Sequence, residues 1–81
     1  MSETPEIRRK RLYMRSIRRG IKEMDIILTR FADSHLDSLS ADDLDLYERF
    51  LAENDQDLYQ WVSGQAAGPG EYAPLIGRMV S

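Results

Sequence analysis

The sequence predicts an all-α protein, a small bundle of four to five short helices. Apolar residues recur at spacings of three and four along the chain, which is the period of one face of an α-helix. No stretch alternates between apolar and polar residues as a half-buried strand does. Residues that start and stop helices divide the chain into short segments, and short turns between such segments favour a bundle.

Length and composition favour one globular domain that acts through its surface. The 81 residues, 42% hydrophobic and 31% charged, are typical of a folded domain and not of a disordered tail. A domain of this size is too small to enclose a substrate-sized pocket. We expect a single helical domain over residues 1–81, with its core at about 5–63, a loop at 64–72 and a C-terminal helical turn at about 73–80.

The residue inventory argues against several chemistries. The chain has no cysteine, which excludes disulfides, thiolate catalysis and zinc-finger ligation, and its only histidine is His35. We therefore expect no metal site. Serine, histidine and acidic residues lie at no spacing that suggests a catalytic triad, so we expect no catalytic residue. No apolar run reaches the ~20 residues of a membrane-spanning helix, and we expect a soluble protein of a reducing compartment.

Charge is divided unevenly along the chain. Residues 1–30 contain nine Lys or Arg against four Asp or Glu, whereas residues 31–81 contain two against ten. The first part therefore carries a net charge of +5 and the second a net charge of −8. This division has three interpretations: a basic face for nucleic acid, a steering patch for an acidic protein, or an internal dipole in which the two parts attract each other.

The first helix is predicted to start at Thr4-Pro5 and to run to about Arg18. Threonine accepts hydrogen bonds from free backbone N–H groups, and proline at the first helical position gives up no useful donor. We expect the stripe of Ile7, Met14 and Ile17 to lie on the core. Gly20 is the expected break, because glycine accepts the left-handed conformation that ends many helices.

Three further helices follow from similar signals. The second is predicted from Ile21 to about Leu36, and its core face consists of Ile21, Met24, Ile27, Leu28 and Phe31. Ser40, followed by acids, is the predicted cap of the third helix, and Asn54 that of a fourth helix stopped by Gly64. We interpret the acids at these helix starts as capping residues and Trp61 as core.

The candidate functional motif is Arg19-Gly20-x-x-Glu23. If Gly20 caps the second helix, Glu23 is its third residue and reaches back to the cap N–H, while Arg19 is solvated. Alternatively, Gly20 lets the backbone of another protein approach, with Arg19 as a donor and Glu23 as an acceptor beside the contact. Spacing alone favours the first interpretation. The nearby row Arg8-Arg9-Lys10-Arg11 covers all sides of a helix, so it is a weak indication of nucleic-acid binding.

Several blocks together resemble the succinate dehydrogenase assembly factor 2 family, whose bacterial members are also described as FAD assembly factors and, in an older description, as antitoxin-like proteins. The resemblance covers roughly residues 6–63. The blocks are Arg9-Lys10-Arg11-Leu12-Tyr13, Arg18-Arg19-Gly20-Ile21-Lys22-Glu23-Met24-Asp25-Ile26-Ile27-Leu28, Phe31-Ala32, Leu46-Tyr47 and Asn54-Asp55-x-Asp57-Leu58-Tyr59-x-Trp61. Residues 64–81 follow no pattern of the family.

The resemblance implies a five-helix bundle that binds the flavoprotein subunit of succinate dehydrogenase, or in some bacteria of fumarate reductase. Such a protein promotes covalent attachment of FAD to a histidine of this client, and the bond-forming chemistry stays in the client. The motif that the family needs for flavin attachment corresponds here to Arg19, Gly20 and Glu23. The resemblance therefore favours the docking interpretation of that motif. The basic residues Arg11, Arg15 and Arg18 would steer toward the client, and Asp55, Asp57, Tyr59 and Trp61 would support the surface.

We therefore expect an assembly chaperone and not an enzyme, with no intrinsically bound cofactor. FAD would be attached to the client protein. We further expect a monomer that binds no membrane and no nucleic acid. Because the chain starts at Met1, a few residues before the first helix, and lacks an Arg-rich presequence, we expect a bacterial cytoplasmic protein. The alternative function is a regulatory nucleic-acid-binding or antitoxin-like small helical protein.

Overall fold

The computed structural model describes residues 3–80, which form five α-helices and no strand, so the all-α prediction is confirmed. The chain also has two short 3₁₀ turns: Leu36–Ser38 lies between the second and third helices, and Gly70–Tyr72 lies between the fourth and fifth. The helices are α1 (Pro5–Ser16), α2 (Lys22–His35), α3 (Ala41–Leu51), α4 (Asp55–Val62) and α5 (Ala73–Val80). None of the helices in this part of the chain is long and apolar enough to cross a membrane.

The predicted helix caps are confirmed by their hydrogen bonds. The Thr4 hydroxyl accepts from the Ile7 N–H at 3.2 Å, and the Ser40 hydroxyl accepts from the Asp43 N–H at 3.2 Å. The side-chain oxygen of Asn54 accepts from the Gln56 N–H at 2.8 Å. Each cap satisfies an N–H group that has no partner inside its own helix, which is why these three helices start where the sequence predicts.

The core is built from one face of every helix. Helices α1 to α4 all contribute to its centre, where the apolar side chains are completely buried. These side chains are Leu12, Met24, Leu28, Tyr47, Phe50 and Leu58. The predicted core face of α2 is confirmed for Met24, Leu28 and Phe31, while Ile21 and Ile27 are half-buried against it.

The predicted core stripe of α1 is wrong. Ile7 and Met14 are 56% and 57% exposed, and α1 instead buries Leu12 and Ser16. The arginines explain this orientation, because the Arg9 guanidinium donates to the carbonyl oxygens of Leu36 and Leu39 at 3.2 and 2.9 Å. A helix that turned Ile7 and Met14 inward would carry these donors away from the carbonyl groups.

The segment between α1 and α2 also differs from the prediction. α1 ends at Ser16 and not near Arg18, and Ile17 is already extended (φ −97°, ψ 165°). The left-handed residue is Arg18, with φ 58°, whereas Gly20 has no positive φ. The cause is a contact that spacing cannot reveal: the chain reverses at Arg18 so that the two following residues reach α4, as described below.

The C-terminal segment packs back onto the bundle. The loop after α4 begins at Gly64, which stops that helix with φ 83° as predicted, and the expected helical turn is the eight-residue α5. Tyr72 and Leu75 are buried, and the Tyr72 ring lies 5.2 Å from the Phe50 ring and 5.8 Å from the Trp61 ring. Residues 70–80 therefore complete the core next to α2 and α4.

Candidate functional site

The candidate motif lies in the segment between α1 and α2, here called the 17–21 turn. Its first and last residues, Ile17 and Ile21, are extended, and Arg18 between them is in the left-handed conformation. For a residue other than glycine this conformation costs about 1–2 kcal/mol. Other contacts must therefore hold the turn in place.

Asp55, the first residue of α4, supplies those contacts. Its Oδ1 atom accepts from Arg19 Nε at 2.8 Å and lies 2.7 Å from Arg19 Nη2, and its Oδ2 atom accepts from the Gly20 N–H at 2.8 Å. One carboxylate thus binds two consecutive residues of the turn. Its negative charge also lies at the helix N-terminus, where the helix dipole favours it.

Gly20 is required by the closeness of this carboxylate. A β-carbon built on Gly20 would lie 3.0 Å from Asp55 Oδ2, which is tighter than nine in ten real contacts. The carboxylate cannot yield easily, because Arg19 holds its other oxygen. The reason for glycine here is therefore the approach of Asp55 from within the chain, and the solvent side of Gly20 is open.

Arg19 is turned into the protein and is not the exposed donor that we expected. Its side chain is 13% exposed, and besides Asp55 it donates to the carbonyl oxygens of Arg15 at 2.9 Å and Leu51 at 3.1 Å. These bonds join the end of α1, the end of α3 and the start of α4. Arg19 therefore shapes the turn from inside.

Glu23 is exposed and does not cap α2. The N-cap of α2 is Ile21, so Glu23 is the second helical residue and not the third. It cannot reach back to the Gly20 N–H, since that donor is bound by Asp55. Its carboxylate makes no hydrogen bond or ion pair with the described residues and is available to another molecule.

A shallow depression of about 450 Å³ opens beside the turn. Its rim includes Arg18, which is exposed, and Arg15, which is half-buried, and neither side chain forms an ion pair within residues 3–80. The apolar part of its lining is the exposed Met14 and the half-buried Ile17. The geometry thus brings Arg15 and Arg18 to the same surface as Gly20.

Arg11 was expected to face a partner protein, but it binds acidic side chains of its own chain. Its guanidinium binds the carboxylates of Glu3 (2.7 and 2.9 Å) and Glu48 (3.1 and 3.2 Å). The hydrogen bond from Arg11 is the main cause that lowers the pKa of Glu48 below its ordinary value. Arg8 binds Asp45 at 2.6 Å and Glu48 at 3.1 Å.

These pairs favour the internal-dipole interpretation of the charge division. Arg8 and Arg11 of the basic row face acidic side chains, and Arg9 faces carbonyl groups, so the row presents no continuous phosphate-binding surface. We therefore find no observation in the described residues that favours the nucleic-acid-binding or antitoxin-like alternative.

The proposed supporting residues divide into one that reaches the turn and three that do not. Asp55 holds the turn directly. Asp57 is exposed two residues further along α4 and makes no hydrogen bond or ion pair with the described residues, while Tyr59 and Trp61 are half-buried against the core. Trp61 lies 6.3 Å from the Phe50 ring and supports α5 more than the turn.

A buried hydroxyl pair near the turn escaped the sequence analysis. Ser16 is fully buried; its hydroxyl donates to the Leu12 carbonyl oxygen at 2.7 Å and lies 2.6 Å from the Tyr47 hydroxyl. Since serine has a single hydroxyl proton, Tyr47 is the donor in the second bond. Burial raises the pKa of Tyr47 to about 12. The only sequence signal was a polar residue four positions after Leu12, on the stripe that proved to be buried.

The structure offers no clustered ligand set for a metal: no group of three or more His, Cys, Asp or Glu in residues 3–80 could hold one. His35, the only histidine, stacks on Phe31 with ring centroids 4.9 Å apart. The cavity beside it, between α2 and α5, has a volume of about 150 Å³.

Comparison with known proteins identifies a family. A family model described as the flavinator of succinate dehydrogenase matches residues 10–81. A relative from Meyerozyma guilliermondii is 49% identical over 61 residues, which are 75% of this chain and 45% of the relative. One from Scheffersomyces stipitis is 46% identical over 61 residues, 75% of this chain and 41% of the relative. One from Aspergillus terreus is 44% identical over 62 residues, 76% of this chain and 21% of the relative.

All three relatives are named as mitochondrial succinate dehydrogenase assembly factor 2, and the chain spans less than half the length of each. Their mitochondrial names contradict the expectation of a bacterial cytoplasmic protein, which depended on where the sequence begins. The resemblance inferred from the sequence is confirmed, but its expected limit at residue 63 is wrong, because the family model also matches residues 64–81. The chain belongs to the family described as the flavinator of succinate dehydrogenase.

Proposed function

We propose that this chain binds the flavoprotein subunit of succinate dehydrogenase as a monomer and promotes the covalent attachment of FAD to a histidine of that subunit. The family and the assembly-factor names of the relatives support a role in the assembly of succinate dehydrogenase. The observation that carries the proposal is the 17–21 turn itself. Gly20 and Glu23 face solvent, while Arg19 and Asp55 hold the backbone beneath them.

The turn is suited to docking because it is organised before the partner arrives. A surface that is already ordered loses little conformational entropy on binding. The missing side chain at Gly20 lets a partner backbone approach closely. The carboxylate of Glu23, which has no partner among residues 3–80, can accept hydrogen bonds from N–H groups or an arginine of the partner. The turn thus recognises a folded protein surface by shape and by one acceptor.

The chain would act by positioning and would supply no catalytic group. Binding selects client conformations in which the flavin and the receiving histidine are aligned, and alignment alone can remove several kcal/mol of an activation barrier. FAD supplies the electrophilic flavin ring and stays with the client. The cavity between α2 and α5, at about 150 Å³, is below the ~300–1,000 Å³ of ordinary small-molecule sites, and the depressions that reach this range, at about 370–520 Å³, lie open on the surface.

The test is the yield of covalent flavin on the apo flavoprotein subunit, incubated with FAD and this chain. Flavin fluorescence of the subunit band in a denaturing gel measures the yield. We expect the wild-type chain to raise the yield and Glu23→Gln to reduce the initial rate about tenfold, because an acceptor of charged hydrogen bonds is lost. The control is Asp37→Asn, which removes an exposed carboxylate from the first 3₁₀ turn and should act as the wild type does.

Gly20→Arg should abolish the increase, but it also crowds Asp55, so circular dichroism must establish that the variant is folded. Glu23→Gln disturbs no bond within the described residues and should therefore fold. It tests the docking surface even if the Gly20→Arg variant unfolds. Equal flavin yield with and without the wild-type chain would refute the proposed function.

A further inference from the structure

The outward face of α1 carries apolar side chains that the sequence analysis assigned to the core. Ile7 and Met14 are more than half exposed and lie seven residues apart, which places them on one side of the helix about 10 Å from each other. Lys10 lies between them on the same side, and Arg18 follows at the 17–21 turn. We call Ile7, Lys10, Met14, Arg15, Ile17 and Arg18 the α1 outer face.

The α1 outer face holds cations that form no ion pair in the described part of the chain. Arg8, Arg11 and Arg19 bind carboxylates, and Arg9 binds carbonyl oxygens. In contrast, Lys10, Arg15 and Arg18 form no ion pair with any residue between positions 3 and 80. Arg15 and Arg18 line the depression that contains Met14, and Lys10 precedes Met14 by one helical turn, so the face combines a positive charge surplus with an apolar centre.

We propose that the α1 outer face is a docking surface continuous with the 17–21 turn, and that it takes an acidic surface of the client flavoprotein subunit bearing an exposed apolar side chain. Carboxylates of the client pair with the cations of this face, and the apolar side chain enters the depression between Met14 and Ile17. The identity of the client rests on the proposed function. The arrangement of apolar centre and charged rim is that of protein interfaces, and methionine adapts its shape to the side chain that it meets.

Two other occupants fit the face less well. A nucleic-acid backbone needs a row of cations, but the neighbours of Lys10 in sequence, Arg9 and Arg11, are bound within the chain. A membrane surface is flat and would leave the 450 Å³ depression unfilled, and only Ile7 and Met14 project from this short helix. A protein side chain uses both the depression and the cations.

The experiment measures the dissociation constant of the complex with the apo flavoprotein subunit, at low and at high salt. Met14→Ser and Arg18→Glu are each expected to weaken binding about tenfold, the loss typical of a central interface residue. Arg18→Glu should also reduce the salt dependence, because a client carboxylate loses its partner. Glutamate keeps a β-carbon, so the backbone strain at this position is unchanged.

Matched controls lie on other helices. Val80 of α5 is 58% exposed, close to the 57% of Met14. Arg30 of α2, like Arg18, is exposed and forms no ion pair with the described residues. Val80→Ser and Arg30→Glu should bind within about twofold of the wild type. Circular dichroism and urea unfolding establish that all four variants fold.

The outcomes separate this inference from the proposed function. If the wild type raises covalent flavin but Met14→Ser and Arg18→Glu bind as tightly as the controls, the α1 outer face is not a docking surface and the proposed function stands. If the two variants lose affinity while the wild type fails to raise covalent flavin, the inference stands and the proposed function fails. Binding of the wild type to anionic vesicles or to duplex DNA, lost in the same two variants and without affinity for the subunit, would overturn the inference.

Discussion

At the scale of single residues, the most informative feature is the left-handed conformation of Arg18. Glycine adopts this conformation at no steric cost, and yet the turn has its glycine two positions later. The structure explains both choices: Gly20 is needed for the approach of Asp55, and Arg18 presents its guanidinium to solvent beside it. The left-handed residue was expected at Gly20, because glycine is the usual residue in this conformation and local sequence does not reveal the contact with the distant Asp55.

The strain at Arg18 can be measured with two substitutions. Arg18→Gly relieves the left-handed strain, whereas Arg18→Ala keeps it, so the glycine variant should have the larger free energy of unfolding by about 1 kcal/mol. At ordinary positions the order is reversed, because glycine gives the unfolded chain more freedom. Urea unfolding of both variants checks this order. A more stable alanine variant would show that Arg18 does not adopt the conformation described.

Tyr47 predicts how stability depends on alkaline pH. Burial raises its pKa from the ordinary value of 10 to about 12, so between these values the folded state keeps the hydroxyl proton and the unfolded state has lost it. Raising the pH then favours unfolding: the stabilisation is complete below pH 10 and falls by roughly 2–3 kcal/mol as the pH approaches 12. Urea unfolding across this range measures the loss.

The control for this prediction is Tyr47→Phe, which should flatten the decline without removing it. Burial also raises the pKa of Tyr72 to about 12, so Tyr72 contributes a decline of the same sign. If the Tyr47→Phe variant lost stability as steeply as the wild type between pH 10 and 12, the Tyr47 hydroxyl would not be buried as described.

At the scale of elements, the helices were more predictable than their orientation. Thr4, Ser40 and Asn54 act within three residues of themselves, so their caps could be identified from local sequence alone. The face that α1 buries depends on bonds from Arg9 to carbonyl groups at residues 36 and 39. Periodicity predicted the stripe of Ile7, Met14 and Ile17 on α1, and these distant contacts turn Leu12 and Ser16 inward instead.

The link between α4 and the 17–21 turn gives a prediction about coupled substitutions. Gly20→Ala should cost about 1 kcal/mol, because the added methyl group crowds Asp55 Oδ2. In a chain that already carries Asp55→Ala the crowding is gone, so Gly20→Ala should then cost much less. Gly77→Ala is the control: it lies in α5 with open space around it and should stabilise the protein by about 1 kcal/mol. These free energies come from urea unfolding.

Equal costs of Gly20→Ala in the two backgrounds would contradict the contact between Gly20 and Asp55. The Asp55→Ala change alone should cost roughly 2 kcal/mol, because it leaves the guanidinium of Arg19 partly buried without its carboxylate. The difference between the two costs of Gly20→Ala is to be compared with this larger loss of unfolding free energy.

At the scale of the whole molecule, the basic and acidic parts of the chain form ion pairs mainly with each other. Arg8 and Arg11 join the basic part of the chain to Glu48 in the acidic part, and Arg19 joins it to Asp55. At the surface beside the turn, Gly20 and Glu23 are exposed, and Arg15 and Arg18 form no ion pair within residues 3–80. The candidate motif was identified from the sequence, but the inward role of Arg19 was not, because it depends on residues 32 and 36 positions away.

Amide hydrogen exchange of the chain, alone and bound to the apo flavoprotein subunit, tests the central claim most directly. Exchange reports local opening and solvent access of each backbone segment. If the 17–21 turn and the start of α2 are the docking point, exchange over residues 18–25 should slow on binding, while residues 73–80 of α5, which the docking surface does not include, stay unchanged. Slower exchange in α5 with residues 18–25 unaffected would contradict the claim that the exposed Gly20 and Glu23 meet the client.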